Sequence, residues 1–282
     1  MGELALKKLT QTAFPFGLIF LLVATLYFSI LMELGQDWWV DPNYSHGFLI
    51  PLISGYFVWE RRERLRQLEV NPCTWGILIL LFGIFTLFIG SVGSELFTMR
   101  FSLIIVMAGL ILFNLGKDFL KVLFLPIAFL VFMVPLPYLV YDSIAFPLKL
   151  FAAQFATYSL QLIELPVLRE GNVIIFPNTT LEVADACSGI RSLISLIALG
   201  VVYAYFTQRV FWKRVVLVGA CVPIAILVNG SRIIATGALA HFFGPELADG
   251  FFHTFSGWLI FLLAFLMLLG LGAVLGRFFR EE

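Results

Sequence analysis

What most constrains this chain is the recurrence of apolar runs about as long as a bilayer is thick. A helix needs about 20 mostly apolar residues to cross roughly 30 Å of hydrocarbon. Eight segments approach that length: 14–34, 46–59, 75–92, 101–115, 119–140, 189–206, 215–241 and 254–277. The second and fourth are short, and Pro126, Pro135 and Pro137 interrupt the fifth, whose end is expected to kink or unwind. The expected fold is an all-α multi-spanning membrane protein with about eight transmembrane helices. Composition agrees: 61% of the 282 residues are hydrophobic and 13% charged, against about a quarter charged in soluble domains. That argues against a disordered chain or a soluble globule, and a net charge of zero argues against a nucleic-acid partner. The first run follows Lys7 and Lys8, is too long for a signal-peptide core and lacks a clear small-residue cleavage site, so it reads as a span.

The zero net charge resolves into two opposite halves. Lys7, Lys8, Arg61, Arg62, Arg64, Arg66, Lys117, Lys121, Arg209, Lys213, Arg214, Arg277 and Arg280 all fall on one side of an eight-span topology. Those thirteen cations sit with seven acids, and the other side holds five cations and eleven acids. Lys/Arg excess marks the cytoplasm, so both termini are expected to be cytoplasmic. The longest outside segment is 141–187. Its first part, 143–165, mixes Lys149, Gln154, Gln161 and Glu164 into apolar sequence and reads as an amphipathic helix on, or re-entering, the outer interface. Its second part, 167–183, alternates short apolar runs with polar turns and reads as a β-hairpin. One membrane domain is expected over 1–282, with no C-terminal accessory domain.

Cys73, Cys187 and Cys221 cannot all pair, and no CxxC or Cys/His metal spacing accompanies them, so neither metal nor other cofactor is expected. Cys187 falls on the outer side, where the hairpin ends and the sixth span begins. Unpaired N–H groups and the dipole at a helix start favour a thiolate, and Arg191 one turn on adds positive charge. Taken alone, Cys187 also reads as a small residue packing a helix start. Arg232 lies 17 residues beyond Val215, or about 26 Å along a helix, near the outer end of span seven. An interfacial arginine can snorkel to headgroups. The preceding Asn229, Gly230 and Ser231 instead make a polar, small-residue patch of the kind that faces protein or water. His46, His241 and His253 all lie at outer boundaries, where each also reads as a solvated residue, and sidedness does not select among them. Together, a thiol opening span six, a guanidinium ending span seven and an imidazole opening span eight would supply a nucleophile, a positive charge for an oxyanion and a proton carrier, the parts of thiol acyl transfer.

At these residues the chain resembles the exosortase/archaeosortase family of membrane transpeptidases. The matching blocks are Asp185-Ala186-Cys187-Ser188-Gly189-Ile190-Arg191-Ser192-Leu193, Asn229-Gly230-Ser231-Arg232-Ile233 and His253-Thr254-Phe255-Ser256-Gly257-Trp258. Tyr44-Ser45-His46-Gly47-Phe48-Leu49-Ile50-Pro51 and Val134-Pro135-Leu136-Pro137 match the bacterial members. The resemblance implies Cys187 as nucleophile, Arg232 as transition-state stabiliser and His253 as proton-transfer residue. It makes Arg191, Ser188, Asn229, Asp185, Glu182 and His46 supporting or substrate-binding candidates. It implies substrates that are secreted proteins ending in a PEP-CTERM-like signal: a short motif such as Pro-Glu-Pro, a spanning helix and a basic tail. They would be cut outside a bacterial cytoplasmic membrane and passed to an acceptor. The outer acids (Glu182, Asp185, Glu246, Asp249) do not select such a motif by charge, which leaves Arg169, Arg191 and Arg232 as candidates for its glutamate.

Two other readings stand beside this one. A different intramembrane protease would need HExxH or GxSxG, and neither occurs. A non-enzymatic transporter or assembly partner of envelope polysaccharide export would use the polar patch at 229–232 as a pathway lining. Cys187→Ala separates them, because transport tolerates it and acyl transfer does not.

Overall fold

The computed structural model describes residues 2–183, 189–244 and 251–278, with 2–17, 20, 251–255 and 278 described by their backbone alone. The chain divides into two compact units, Met1–Pro137 and Tyr138–Glu282. Among the described residues five helices are long and apolar enough to cross a membrane: Trp75–Val92, Leu96–Asn114, Ile190–Thr207, Phe211–Phe243 and Ser256–Arg277. The number rises to six if the helices on either side of the 134–137 break count as one span.

In the first unit, α1 (Gly2–Val40) contains the run 14–34 and buries Tyr27, Ile30 and Leu34 on one stripe. The expected second span takes another form: a 3₁₀ turn over Ser45–Phe48, then α2 (Leu49–Glu60). Ser45–Glu60 is thus one helical stretch with a 3₁₀ entry. A short basic helix, α3 (Arg62–Arg66), follows. Helices α4 (Trp75–Val92) and α5 (Leu96–Asn114) form a tight antiparallel pair. Its cause is in the sequence: Gly76, Gly83 and Gly90 recur every seventh residue of α4, and all three are buried. A Cβ at Gly83 would stand 2.8 Å from Val106 Cγ2, and one at Gly90 2.8 Å from the Met99 nitrogen. Small residues in such a row let two membrane helices touch through their backbones.

Polar contacts tie α1 to α5. Tyr27 Oη and Ser102 Oγ are 2.7 Å apart, and the buried Arg100 pairs with Asp37 at 2.7 Å. Glu95 caps α5, accepting from the N–H groups of Phe97 and Thr98 at 3.2 and 2.6 Å. Partial burial pushes the Glu95 carboxyl up, but the hydrogen bonds from Thr98 and Phe97, with Arg100 nearby, outweigh it and hold the carboxyl below the ordinary value.

The fifth expected span is broken. α6 (Lys117–Phe129) passes into a 3₁₀ turn over Leu130–Met133, and the chain is extended by Val134. Prolines remove N–H donors and leave carbonyls without helical partners. Side chains supply donors instead: Trp38 Nε1 donates to the Met133 carbonyl at 2.8 Å and Ser54 Oγ to that of Pro126 at 2.8 Å. Tyr44 Oη accepts from the Leu136 N–H at 3.2 Å.

The second unit opens with α7 (Tyr138–Leu162). Rather than only resting on an interface, this helix buries a small-residue face. Ala152, Ala153, Ala156 and Leu160 share one core with Ile174, Phe176, Val183 and Ile233. The expected hairpin gains a strand: β1 (Leu168–Glu170), β2 (Val173–Ile175) and β3 (Thr180–Glu182) form an antiparallel meander, with Arg169 opposite Ile174 and Ile174 opposite Leu181. Helices α8 (Ile190–Thr207), α9 (Phe211–Phe243) and α10 (Phe251–Phe278) then enclose a second core. It is built from Leu196, Leu217, Cys221, Val228, Ala264 and Leu268. Cys221 is wholly buried there, and both Cys73 and Cys221 are free thiols.

Candidate functional site

The four residues of the Asn229–Arg232 block each have a distinct structural task. Asn229 is buried and turned toward the start of α8. A Cβ added at Gly189 would sit 3.1 Å from the Asn229 amide, and Gly189 has φ +80°, so a glycine is required there on both counts. Gly230 makes room for Phe155 of α7, whose ring lies 2.6 Å from where its Cβ would be. Ser231 returns its hydroxyl to the Leu227 carbonyl at 2.9 Å. Arg232, 9% exposed, donates from Nε to Ser256 Oγ of α10 at 3.1 Å.

Asn229 and Arg232 are three residues apart on α9 and therefore share a face. That face meets the N-terminal end of α8 through Asn229 and the first part of α10 through Arg232. Three consecutive helices thus converge on it. A guanidinium buried in a spanning segment is costly unless held by polar partners. Here it is fixed beside a helix start whose N–H groups lack intrahelical acceptors. The arrangement gathers positive potential in one place, which suits a negative charge that develops during a reaction.

The other sequence-selected residues fall as follows. Asp185, Cys187 and Ser188 lie outside the described residues. Cys187 is bonded through one intervening residue to Gly189. Arg191 is the second residue of α8 and half-buried. Glu182 ends β3, exposed, with Asn172 Nδ2 at 3.4 Å. Arg169 donates to the Gly171 carbonyl at 2.8 Å, within its own turn.

The three histidines separate clearly by place. His46 belongs to the first unit, where it has hydrogen bonds to the backbone of Phe132 and Asn43. Burial pushes its imidazole below the ordinary value, and those bonds pull the other way. His241 is engaged with the β2–β3 turn: Asn178 Nδ2 donates to the His241 carbonyl at 3.0 Å, and His241 Nδ1 is 3.2 Å from Asn178 Oδ1. Nine residues past Arg232, it falls on the opposite side of α9. Position 253 is on α10, one turn before Ser256, so its backbone is carried by the same helix face as the partner of Arg232.

Sequence reasoning missed Ser256. Its only sequence signal is a hydroxyl in an apolar span, at the depth where the neighbouring span carries an arginine.

No curated protein and no solved structure matches the chain. A family model described as transmembrane exosortase matches residues 38–270. That match takes in the Tyr44 block, the 134–137 break and all three convergent helices, and by it the chain belongs to the transmembrane exosortase family.

Proposed function

We propose that this protein is a membrane cysteine protease and transpeptidase that cuts PEP-CTERM-like sorting signals outside the bacterial cytoplasmic membrane and passes the shortened protein to an acceptor. The observation that carries the reading is Arg232: buried, anchored by Ser256, and on the same helix face as the Asn229 that meets the start of α8. Family membership supplies the reaction class.

In the proposed reaction the Cys187 thiolate attacks the carbonyl carbon of the scissile peptide. Arg232 stabilises the oxyanion of the tetrahedral intermediate. Collapse breaks the C–N bond, and His253 protonates the departing amine, leaving the shortened protein as a thioester on Cys187. An acceptor amine or water then attacks that thioester, His253 takes up its proton, and the thiolate is released. The proposed topology has eight spans, cytoplasmic termini and the sheet on the outer side, as the charge distribution favours.

The test is processing of a membrane-anchored reporter ending in Pro-Glu-Pro, one spanning helix and a basic tail. Cys187→Ala is expected to abolish cleavage, and hydroxylamine is expected to release a trapped acyl-enzyme from wild type. Undiminished cleavage by Cys187→Ala would favour the transporter or assembly reading.

A further inference from the structure

The two units treat their basic ends differently. In the first, segments 60–69 and 117–121 hold six Lys/Arg together with four Asp/Glu. Those acids are used: Arg62 and Arg66 lie against Glu63 at 3.5 and 3.2 Å, and Lys121 against Asp118 at 3.0 Å. In the second unit the α8–α9 turn carries Arg209, Lys213 and Arg214, yet no Asp or Glu occurs from 189 to 244 or from 251 to 280. The acids at 281 and 282 lie outside the described residues. Among the described residues no carboxylate pairs with Arg209 or Arg214.

Arg214 is fixed without being neutralised. Its Nε donates to the Gln208 carbonyl at 2.8 Å and its Nη2 to that of Tyr205 at 3.5 Å, with the guanidinium 5.3 Å from the centre of the Tyr205 ring. A guanidinium carries five donors, so these two bonds leave others for an outside acceptor. Arg209 is exposed, and Lys213 is buried beside the Trp212 ring at 5.7 Å. Phe206, Phe211 and Trp212 are exposed around the same turn. A soluble anion would match the charge and leave those rings bare; a phospholipid covers both.

We propose that the α8–α9 turn is a binding site for an anionic phospholipid. Arg209 and Arg214 hold the phosphodiester, Lys213 strengthens the positive field behind them, and Phe206, Phe211 and Trp212 lie against the acyl chains. The same turn ties α8 to α10: Gln208 Nε2 donates to the Gly272 carbonyl at 3.2 Å, and Tyr203 Oη to that of Leu269 at 3.2 Å. A lipid held there braces this end of α8, α9 and α10 and stabilises the folded protein, as any ligand of the native state does. The site is independent of the cysteine-transpeptidase reading.

The experiment titrates phosphatidylglycerol or phosphatidylcholine into the full-length protein in a neutral detergent. Binding is read by native mass spectrometry and by thermal unfolding. Wild type is expected to retain phosphatidylglycerol in preference and to unfold at a higher temperature with it. Arg209→Gln removes an exposed charge and is expected to weaken that binding about fivefold, the worth of one basic residue at an anionic surface. Adding Arg214→Gln should weaken it further. The double variant Arg62→Gln/Arg66→Gln removes as many charges from the first unit and is expected to leave binding nearly unchanged. Equal weakening by the two double variants would mean general attraction to basic loops and overturn the site. So would a wild type with no preference between the two lipids. Equal stabilisation by inorganic phosphate would assign the turn to a soluble anion and overturn the lipid. Because Arg209 is exposed, its single variant decides the matter even if Arg214→Gln unfolds the protein.

Discussion

Arg232 and Ser256 form a pair whose value lies in where the guanidinium is held rather than in how much it stabilises the fold. A hydrogen bond involving a charged group contributes about 1.5–3 kcal/mol. Ser256→Ala is therefore expected to lower kcat about tenfold or more, with KM nearly unchanged, if Arg232 acts on the transition state alone. Arg232→Lys should do worse, because an ammonium cannot keep the fixed planar geometry of the guanidinium. Steady-state kinetics on the reporter check both. His46 gives a pH prediction. Its folded-state value is lowered, so the unfolded chain takes up the proton first, and the stability it contributes is present above about pH 6.5 and lost as pH falls below it. Thermal unfolding of the purified protein between pH 7.5 and 5 should show that loss, and His46→Gln should flatten it.

At the scale of elements, what was legible depended on whether a helix is recorded in its own residues or in a partner's. The run 75–92 predicted α4 to the residue, and 189–206, 215–241 and 254–277 each locate a helix within a few residues. Those segments are long and uninterrupted, so hydropathy alone defines them. The segment 46–59 locates α2, but hydropathy does not encode its 3₁₀ entry over Ser45–Phe48. Strand β1 was missed because Leu168, Arg169 and Glu170 are all exposed and show no alternation. The Arg232–Ser256 contact was illegible for a different reason: it joins residues 24 apart on separate helices, and no periodicity encodes that. The glycine row of α4 is an element-scale feature with a direct test. Gly83→Leu places carbon atoms where Val106 already stands and is expected to cost about 1–3 kcal/mol, the usual range for overpacking. Leu81→Ala, at an exposed position of the same helix, should cost far less. Unfolding of the two variants in the same detergent compares them.

For the whole molecule, the division at Pro137 places the blocks that resemble the family in two sets. The Tyr44 block and the 134–137 break belong to the first unit, where they explain each other: Trp38, Tyr44 and Ser54 bond to the backbone near the interrupting prolines. The blocks around Cys187, Arg232 and His253 belong to the second. The charge asymmetry in the sequence predicts how the chain is oriented in the bilayer. With Cys73 and Cys187 replaced by serine, a cysteine introduced at Asn172, in the β1–β2 turn, should react with a membrane-impermeant maleimide in intact cells. One introduced at Arg64 should react only after permeabilisation. The reverse pattern would invert the proposed topology.

The two flanks of the segment that carries Cys187 both pack against α9. On one side Val183 shares a buried core with Ile233, and on the other Gly189 rests on Asn229, one turn away on α9. Arg232 lies between those two attachment points on the same helix. If α9 tilts or slides while a substrate helix enters, both anchors and the guanidinium travel together as one mechanical cassette. Ser256 and position 253 ride on a different helix, so the Arg232–Ser256 hydrogen bond is the latch that keeps that cassette in register with α10.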